Sequence, residues 1–256
     1  MKVTFLGTGT SQGIPIIACD CSVCQSGDWR DKRLRTSVMI ETEGKTLVVD
    51  TGPDFREQML RANVKKLDAV LFTHEHRDHI GGLDDIRAFN FIHQQPMDMY
   101  GEERVLKALQ EMYPYIFAEK KYPGIPELNF SVIKTSPFSI DNIEIIPIRA
   151  YHYKLPVLGF RIHDFTYITD ANRIPEEEKY KIEGSRYLVI NGLRKEKHIS
   201  HFTVDEAVAL FEEFKPEKGL IIHISHQLGL TADIEKELPQ GVELAVDEQV
   251  LEWENG

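Results

Sequence analysis

Residues 67–79 read LDAVLFTHEHRDH, an apolar run that gives way at once to His74, His76, Asp78 and His79. The run has the length and composition of a buried strand, and the polar set stands directly at its C-terminal end. Two imidazoles at i and i+2 can reach one ion, while the Asp-His pair that follows can turn toward a second. The alternative is four polar side chains on an exposed loop, and this spacing straight after an apolar strand argues against it. A chain built on such a unit must surround it with further strands and helices, which predicts an α/β class.

The rest of the sequence supplies them. KVTFLG alternates like a strand and ends in the glycine-rich loop GTGTSQGIP. TSVMIET and TLVVD flank EGK as a hairpin, and PDFREQMLRANV has helical spacing with Pro53 near its start. Helices are predicted at about 79–95 and 102–112, and 113–128, rich in proline and aromatics, reads as an excursion or lid. Strands follow at FSVIK, IEIIPIRA, VLGFRIH, FTYIT and YLVIN; TVDEAVALFEEFK is an amphipathic helix; GLIIH, VELAV and VLEW close the chain. Both halves run from several strands into strand-helix units, which suggests two sheets face to face with helices outside.

The only cysteines are Cys19, Cys21 and Cys24, in CDCSVC. An odd, clustered set suits three-quarters of a zinc site better than a disulfide framework. No apolar stretch approaches the roughly 20 residues of a membrane helix. The start MKVTFLGTGT lacks the layout of a signal peptide, so the expected location is cytoplasmic. A net charge of −11 argues against an extensive nucleic-acid surface, and the runs RDKRLR and LRKEKH read as solvated.

H-x-H-x-D-H after a buried strand resembles the metallo-β-lactamase superfamily. The resemblance implies an αββα sandwich, two mixed β-sheets face to face with helices outside, over residues 1–256 as one hydrolase domain. It further implies two divalent cations, Zn²⁺ or Mn²⁺. His74, His76 and His152 would hold one, Asp78, His79 and His223 the other, and Asp170 would bridge them. Asp50 in VVDTG resembles the family's supporting aspartate. GTGTSQGIP, CDCSVC, HISHQ and LPQGVELAVD resemble the PhnP-like branch, phosphodiesterases that open a ribose cyclic phosphate. In that branch a structural zinc is held by a C-x-C-x-x-C loop and a late histidine, which implies Cys19, Cys21, Cys24 and His226. If HISH is extended, alternation turns His223 to the cleft and His226 to the cysteines.

The resemblance implies a small phosphodiester as substrate, no membrane partner and a possible homodimer. The cations would polarise the diester and activate a water, with Asp78 among their ligands. His201 would protonate the leaving oxygen. His198, His93 and His163 read as structural or surface residues, and Arg35, Arg194 and the amides of GTGTSQG as possible phosphate contacts. Two alternatives stay open: a tRNA 3′-processing endonuclease, expected to carry a basic arm absent from this sequence, and a non-catalytic cofactor-biosynthesis protein of the same fold.

Overall fold

β1 (Lys2–Gly7), β2 (Ser37–Thr42) and β3 (Lys45–Val49) pair antiparallel. Glu43 and Gly44 both take positive φ in the two-residue turn between β2 and β3, the conformation that suits a tight hairpin. The computed structural model describes residues 1–120 and 122–254. After β3 come α1 (Phe55–Arg61), β4 (Ala69–Leu71), α2 (Arg77–Ile80), α3 (Arg87–His93), β5 (Met97–Gly101), α4 (Glu103–Met112) and β6 (Leu128–Val132). The second half brings β7 (Phe138–Ile140), β8 (Ile143–His152), β9 (Leu155–Ile162), β10 (Phe165–Ile168) and β11 (Tyr187–Asn191). It continues with α5 (Val204–Phe214), β12 (Lys218–Ile222), α6 (Thr231–Ile234), β13 (Val242–Leu244) and β14 (Val250–Glu252).

Among the described residues the strands form two seven-stranded sheets, ordered β14-β1-β2-β3-β4-β5-β6 and β13-β12-β11-β10-β9-β8-β7. Alternation along the strands sorts their side chains into three apolar layers. Leu47 and Val49 of β3 join Phe5, Leu158, Phe160, Tyr167 and Leu220 between the sheets. Val48 faces the other way and packs with Phe55, Phe89, Leu106 and Leu109 beneath the helices. Leu188, Ile190 and Ile221 meet Ala207 and Phe211 of α5 on the far side. This is an αββα sandwich, with α5 opened by a capping box between Thr203 and Glu206.

Strand direction decides where the polar residues gather. β3 and β4 are parallel, as are β10, β11 and β12, and β8 runs with β10 because each pairs antiparallel with β9. Their C-terminal ends therefore deliver Asp50, Thr73, Asp170, His223 and His152 to one edge of the sandwich. The sheets are tied there by main-chain bonds, Ile224 N–H to Thr8 O at 2.9 Å and Leu158 N–H to Thr73 O at 3.0 Å.

Four sequence readings need correction. The helix expected at 79–95 is broken into α2, a 3₁₀ turn at Leu83–Ile86 and α3. The cause is close backbone approach: a Cβ at Gly82 would collide with the Gly52 carbonyl, and one at Gly52 with that of Asp78. β5 and β7 are strands that the pattern reading passed over. Residues 113–128, of which residue 121 lies outside the described residues, begin as core rather than lid. Tyr113 and Ile116 are buried among the helices, and the Tyr113 hydroxyl donates to Ile80 O at 3.1 Å. Finally, RDKRLR is not wholly solvated, because Asp31 and Arg33 are buried.

Arg33 donates to the Thr8 hydroxyl at 2.7 Å, to the Thr231 hydroxyl at 3.2 Å and to the Ala245 carbonyl. Thr8 in turn donates to Asp247 at 2.7 Å, and Asp247 also accepts from Leu34 N–H at 2.7 Å. Burial draws the Arg33 guanidinium down to about 10 and pushes the Asp247 carboxyl up to about 6. The network joins the loop after β1 to the segment after β13, and losing the Asp247 carboxylate leaves the Thr8 hydroxyl and the Leu34 N–H without their acceptor. Asp247→Ala is expected to lower unfolding free energy by about 2 kcal/mol in urea titrations; a loss below about 0.5 kcal/mol would show that the network carries little stability.

Candidate metal centre

The site is organised by a carboxylate that does not face it. Asp50, fully buried just after β3, accepts from Thr73 N–H at 2.8 Å and from the Thr73 hydroxyl at 2.7 Å. It also accepts from His79 Nδ1 at 2.6 Å. The Thr73 proton is thus committed, so the 3.0 Å contact between Thr73 Oγ1 and His74 Nδ1 requires the ring to donate. That leaves His74 Nε2 as a bare lone pair, buried and without a hydrogen-bond partner. His152 is set the same way: Nδ1 donates to the Ser200 carbonyl at 2.8 Å, leaving Nε2 as acceptor.

Around these atoms the remaining groups close in. His79 Nε2 lies 3.3 Å from both Asp78 Oδ2 and Asp170 Oδ1. Asp170 Oδ2 lies 3.1 Å from His223 Nε2 and 3.3 Å from His201 Nε2. Among the described residues neither ring nitrogen of buried His223 makes a well-directed hydrogen bond, its Nε2 meeting Asp170 only as a close ion-pair contact. The ligand atoms of Asp78, His79, Asp170 and His223 all lie within 4.8 Å of one another, as do those of His152, Asp170 and His201. The His74 ring centroid is 4.6 Å from that of His76 and 5.8 Å from that of His152. Asp50, Asp170 and His223 each take positive φ, a conformation that costs a non-glycine residue roughly 1–2 kcal/mol. Three such residues at strand ends mark a site whose side chains are aimed at the expense of backbone comfort.

Buried lone pairs without partners, converging with carboxylates, are a donor set that fits divalent cations. The charges agree. Burial, then the His79 charge, hold His74 well below the usual imidazole range. Burial opposes a charge on His79 too, but Asp170, Asp50 and Asp78 outweigh it and raise it well above that range. Burial would raise Asp170, yet the His223 and His79 charges hold it well below the carboxylate range. Burial takes His201 down to about 4.

A second cluster stands beside the cleft. His226 Nδ1 lies 3.4 Å from the sulfurs of Cys19 and Cys21 and 3.7 Å from that of Cys24. Cys24 N–H at 3.4 Å, then His226, lower the Cys21 thiol to about 6, whereas burial raises Cys24 to about 11. HISH is not evenly extended: His223 is left-handed at φ 56° and Ile224 bridges to Gly9. The separation of the two histidines therefore arises at a kink, not from alternation alone.

Other sequence candidates fall elsewhere. Arg35 is held by Asp54 at 2.8 Å and Arg194 by Gln227, so both guanidinium groups have protein partners. In GTGTSQG the Gly9 and Gly13 amides donate to Leu34 and Thr10, at 2.8 and 2.9 Å. His93 stacks on Phe89 and His163 meets Glu43. His198, read as a surface residue, has Nδ1 3.1 Å from His201 Nδ1, with Ser200 Oγ touching both rings. Sequence reasoning also missed Arg104, on α4, which pairs with Glu75 between the two histidines of H-x-H and donates to Pro156 O. Glu75 itself stood in the motif, but its partner 29 residues away had no signature.

The fold and this edge define a class of metal-dependent hydrolases. The family described as "Beta-lactamase superfamily domain" matches residues 45–224, and the chain belongs to that superfamily, in its metallo-β-lactamase form. It is similar, at 36% identity, TM-score 0.92 and 99% and 98% coverage of the two chains, to a crystal structure described as a new diphosphatase from the PhnP family. It is 39% identical over 259 residues to a protein of Porphyromonas gingivalis named octanoyltransferase, covering 97% of this chain and 52% of that one. The chain thus spans about half the length of that relative. The fold is shared with Zn²⁺-bound PqqB from Methylobacterium extorquens, at TM-score 0.76 and 18% identity over 99% of this chain and all of that one.

Asp50→Asn removes the charge that orients Thr73, His74 and His79 while preserving shape. It is expected to weaken cation binding in the cleft about 10–100-fold in competition with a chromophoric chelator. Unchanged affinity would show that the histidines orient themselves.

Proposed function

We propose that the chain is a metal-dependent phosphodiesterase acting on small diesters of the cyclic-ribose or nucleotide type. The observation that carries the reading is the convergence of Asp78, His79, Asp170 and His223, with a buried, unpartnered His74 nitrogen on the ring whose centroid is 4.2 Å from that of His79. In this reading His74, His76 and His152 would hold one cation and Asp78, His79 and His223 the other, with Asp170 available to both. Cys19, Cys21, Cys24 and His226 hold a structural zinc. Divalent cations in the cleft supply Lewis-acid polarisation of a phosphoryl oxygen and bring the pKa of a water to about 7.

The chain's own residues do the rest. Asp50 and Thr73 fix the ring faces; Ser200 fixes His152; Arg104 and Glu75 hold the H-x-H turn. In this reading His201 protonates the leaving oxygen; its Nε2 lies against Asp170 and its Nδ1 against Ser200 and His198. Burial lowers its ring to about 4. In this reading an anionic phosphate beside the ring favours its protonated form, which then donates to the leaving oxygen. The PhnP-family diphosphatase, similar over nearly its whole length, supports hydrolysis at phosphorus, and the net charge of −11 disfavours a long nucleic acid.

Hydrolysis of bis(p-nitrophenyl) phosphate against cleavage of precursor tRNA tests the reading. Turnover of the diester is expected; tRNA cleavage with the diester untouched would overturn it. His201→Ala is expected to lower kcat about 10²–10⁴-fold with metal content unchanged, by element analysis of the same sample. Unaltered kcat would remove His201 from the reaction.

A further inference from the structure

Beside the donor cluster the protein carries a cleft of about 550 Å³ with an unexpected lining. His76 and His152 form one side, and Tyr153, Leu155, Pro156 and Ile199 supply apolar walls. Tyr153 is 49% exposed and Ile199 63% exposed. Large apolar side chains facing water next to a strongly polar centre are costly in a free protein and become favourable when a ligand covers them.

These walls are also held in place. Tyr153 occupies the β8–β9 turn at φ 59°, a conformation seldom given to an aromatic residue. Its N–H donates to the Asn172 side-chain oxygen at 2.8 Å, and the Asn172 amide donates to the Ile199 carbonyl at 3.0 Å. The Asn172 main chain is bonded in turn to Tyr151 at 2.9 Å. One carboxamide thus couples the hairpin tip to the loop that carries Ile199, Ser200 and His201. Through Ser200, the same loop fixes His152. Position relative to the reacting centre is therefore built in.

We infer that this cleft is a subsite for a nucleobase, so that the substrate is a base-bearing nucleotide ester or diphosphate rather than a bare ribose cyclic phosphate. The inference rests on the phosphodiesterase reading and narrows its substrate class. A nucleobase is planar and apolar on its faces and reaches a phosphate through one ribose, which matches an apolar cleft directly beside the cation ligands. Tyr153 offers the ring on which it stacks. Lys154 Nζ lies over the Tyr153 ring, 5.4 Å from its centroid, so a stacking base takes the opposite face or displaces the ammonium.

The test compares AMP with ribose 5-phosphate, which share ribose and phosphate and differ by the base, in calorimetric titrations of the metal-loaded protein. AMP is expected to bind about tenfold more tightly. Tyr153→Asn, which tolerates the left-handed turn, and Ile199→Ser are each expected to reduce that ratio while leaving ribose 5-phosphate affinity unchanged. Equal affinities in the parent protein, including no binding of either, overturn the inference; so does a preference that survives both substitutions together. Because monoester binding needs no turnover, bis(p-nitrophenyl) phosphate hydrolysis by the same samples judges the phosphodiesterase reading separately.

Discussion

Asp50 sits at full burial and spends its lone pairs on Thr73 and His79. The cleft histidines depend on that arrangement. Because Thr73 gives its proton to Asp50, it can only accept from His74, and His74 must then point a lone pair into the cleft. Because His79 gives its Nδ1 proton to the same carboxylate, its other nitrogen meets Asp78 and Asp170. A carboxylate buried this deeply is raised by loss of solvent, and its hydrogen bonds, together with the His79 charge, answer that cost. The strain of three left-handed residues at the strand ends belongs to the same design: backbone comfort is given up where side-chain aim matters.

The sandwich makes this possible by direction rather than by contact. Strands from both sheets end at one edge, so residues far apart in sequence arrive together without long loops. Asp50 and Thr73 come from one sheet; His152, Asp170 and His223 come from the other. The Gly9–Ile224 bridge and the Thr73–Leu158 bond lock the two sheets at the level of the donors. The cysteine loop lies within reach of that lock, since Ile224 separates His223 from His226 by only one further residue, Ser225. A group bound at the cysteines therefore bears on the cleft through a very short piece of chain.

Much of this was legible in the sequence because it is written in local patterns. The strand before H-x-H-x-D-H, the hairpin around EGK, the capped helix of TVDEAVALFEEFK and the clustered cysteines are each contained within a dozen or so residues. What was not legible depends on tertiary approach. Nothing local in helix-like residues 79–95 says that Gly82 must slide against Gly52, although the Gly81-Gly82 pair is a helix-breaking signal. MDMYG alternates in burial as a strand should, but it is short and lies between helices. Arg33 sat in a run of charges that resembles a surface and is instead buried, because its partners Thr8, Thr231 and Ala245 lie far away in sequence. The Asn172 brace and the Arg104–Glu75 pair are invisible for the same reason: short-range patterning does not record which polar side chains meet across a fold.

If His74 Nε2 and a His223 ring nitrogen hold cations, anomalous diffraction from crystals of the metal-loaded protein, collected at the zinc and manganese edges, locates them. Peaks about 2.0–2.2 Å from both nitrogens are expected, separate from a peak among the three cysteines and His226. Anomalous density at the cysteines alone, with the cleft histidines paired to water or to one another, would contradict that assignment.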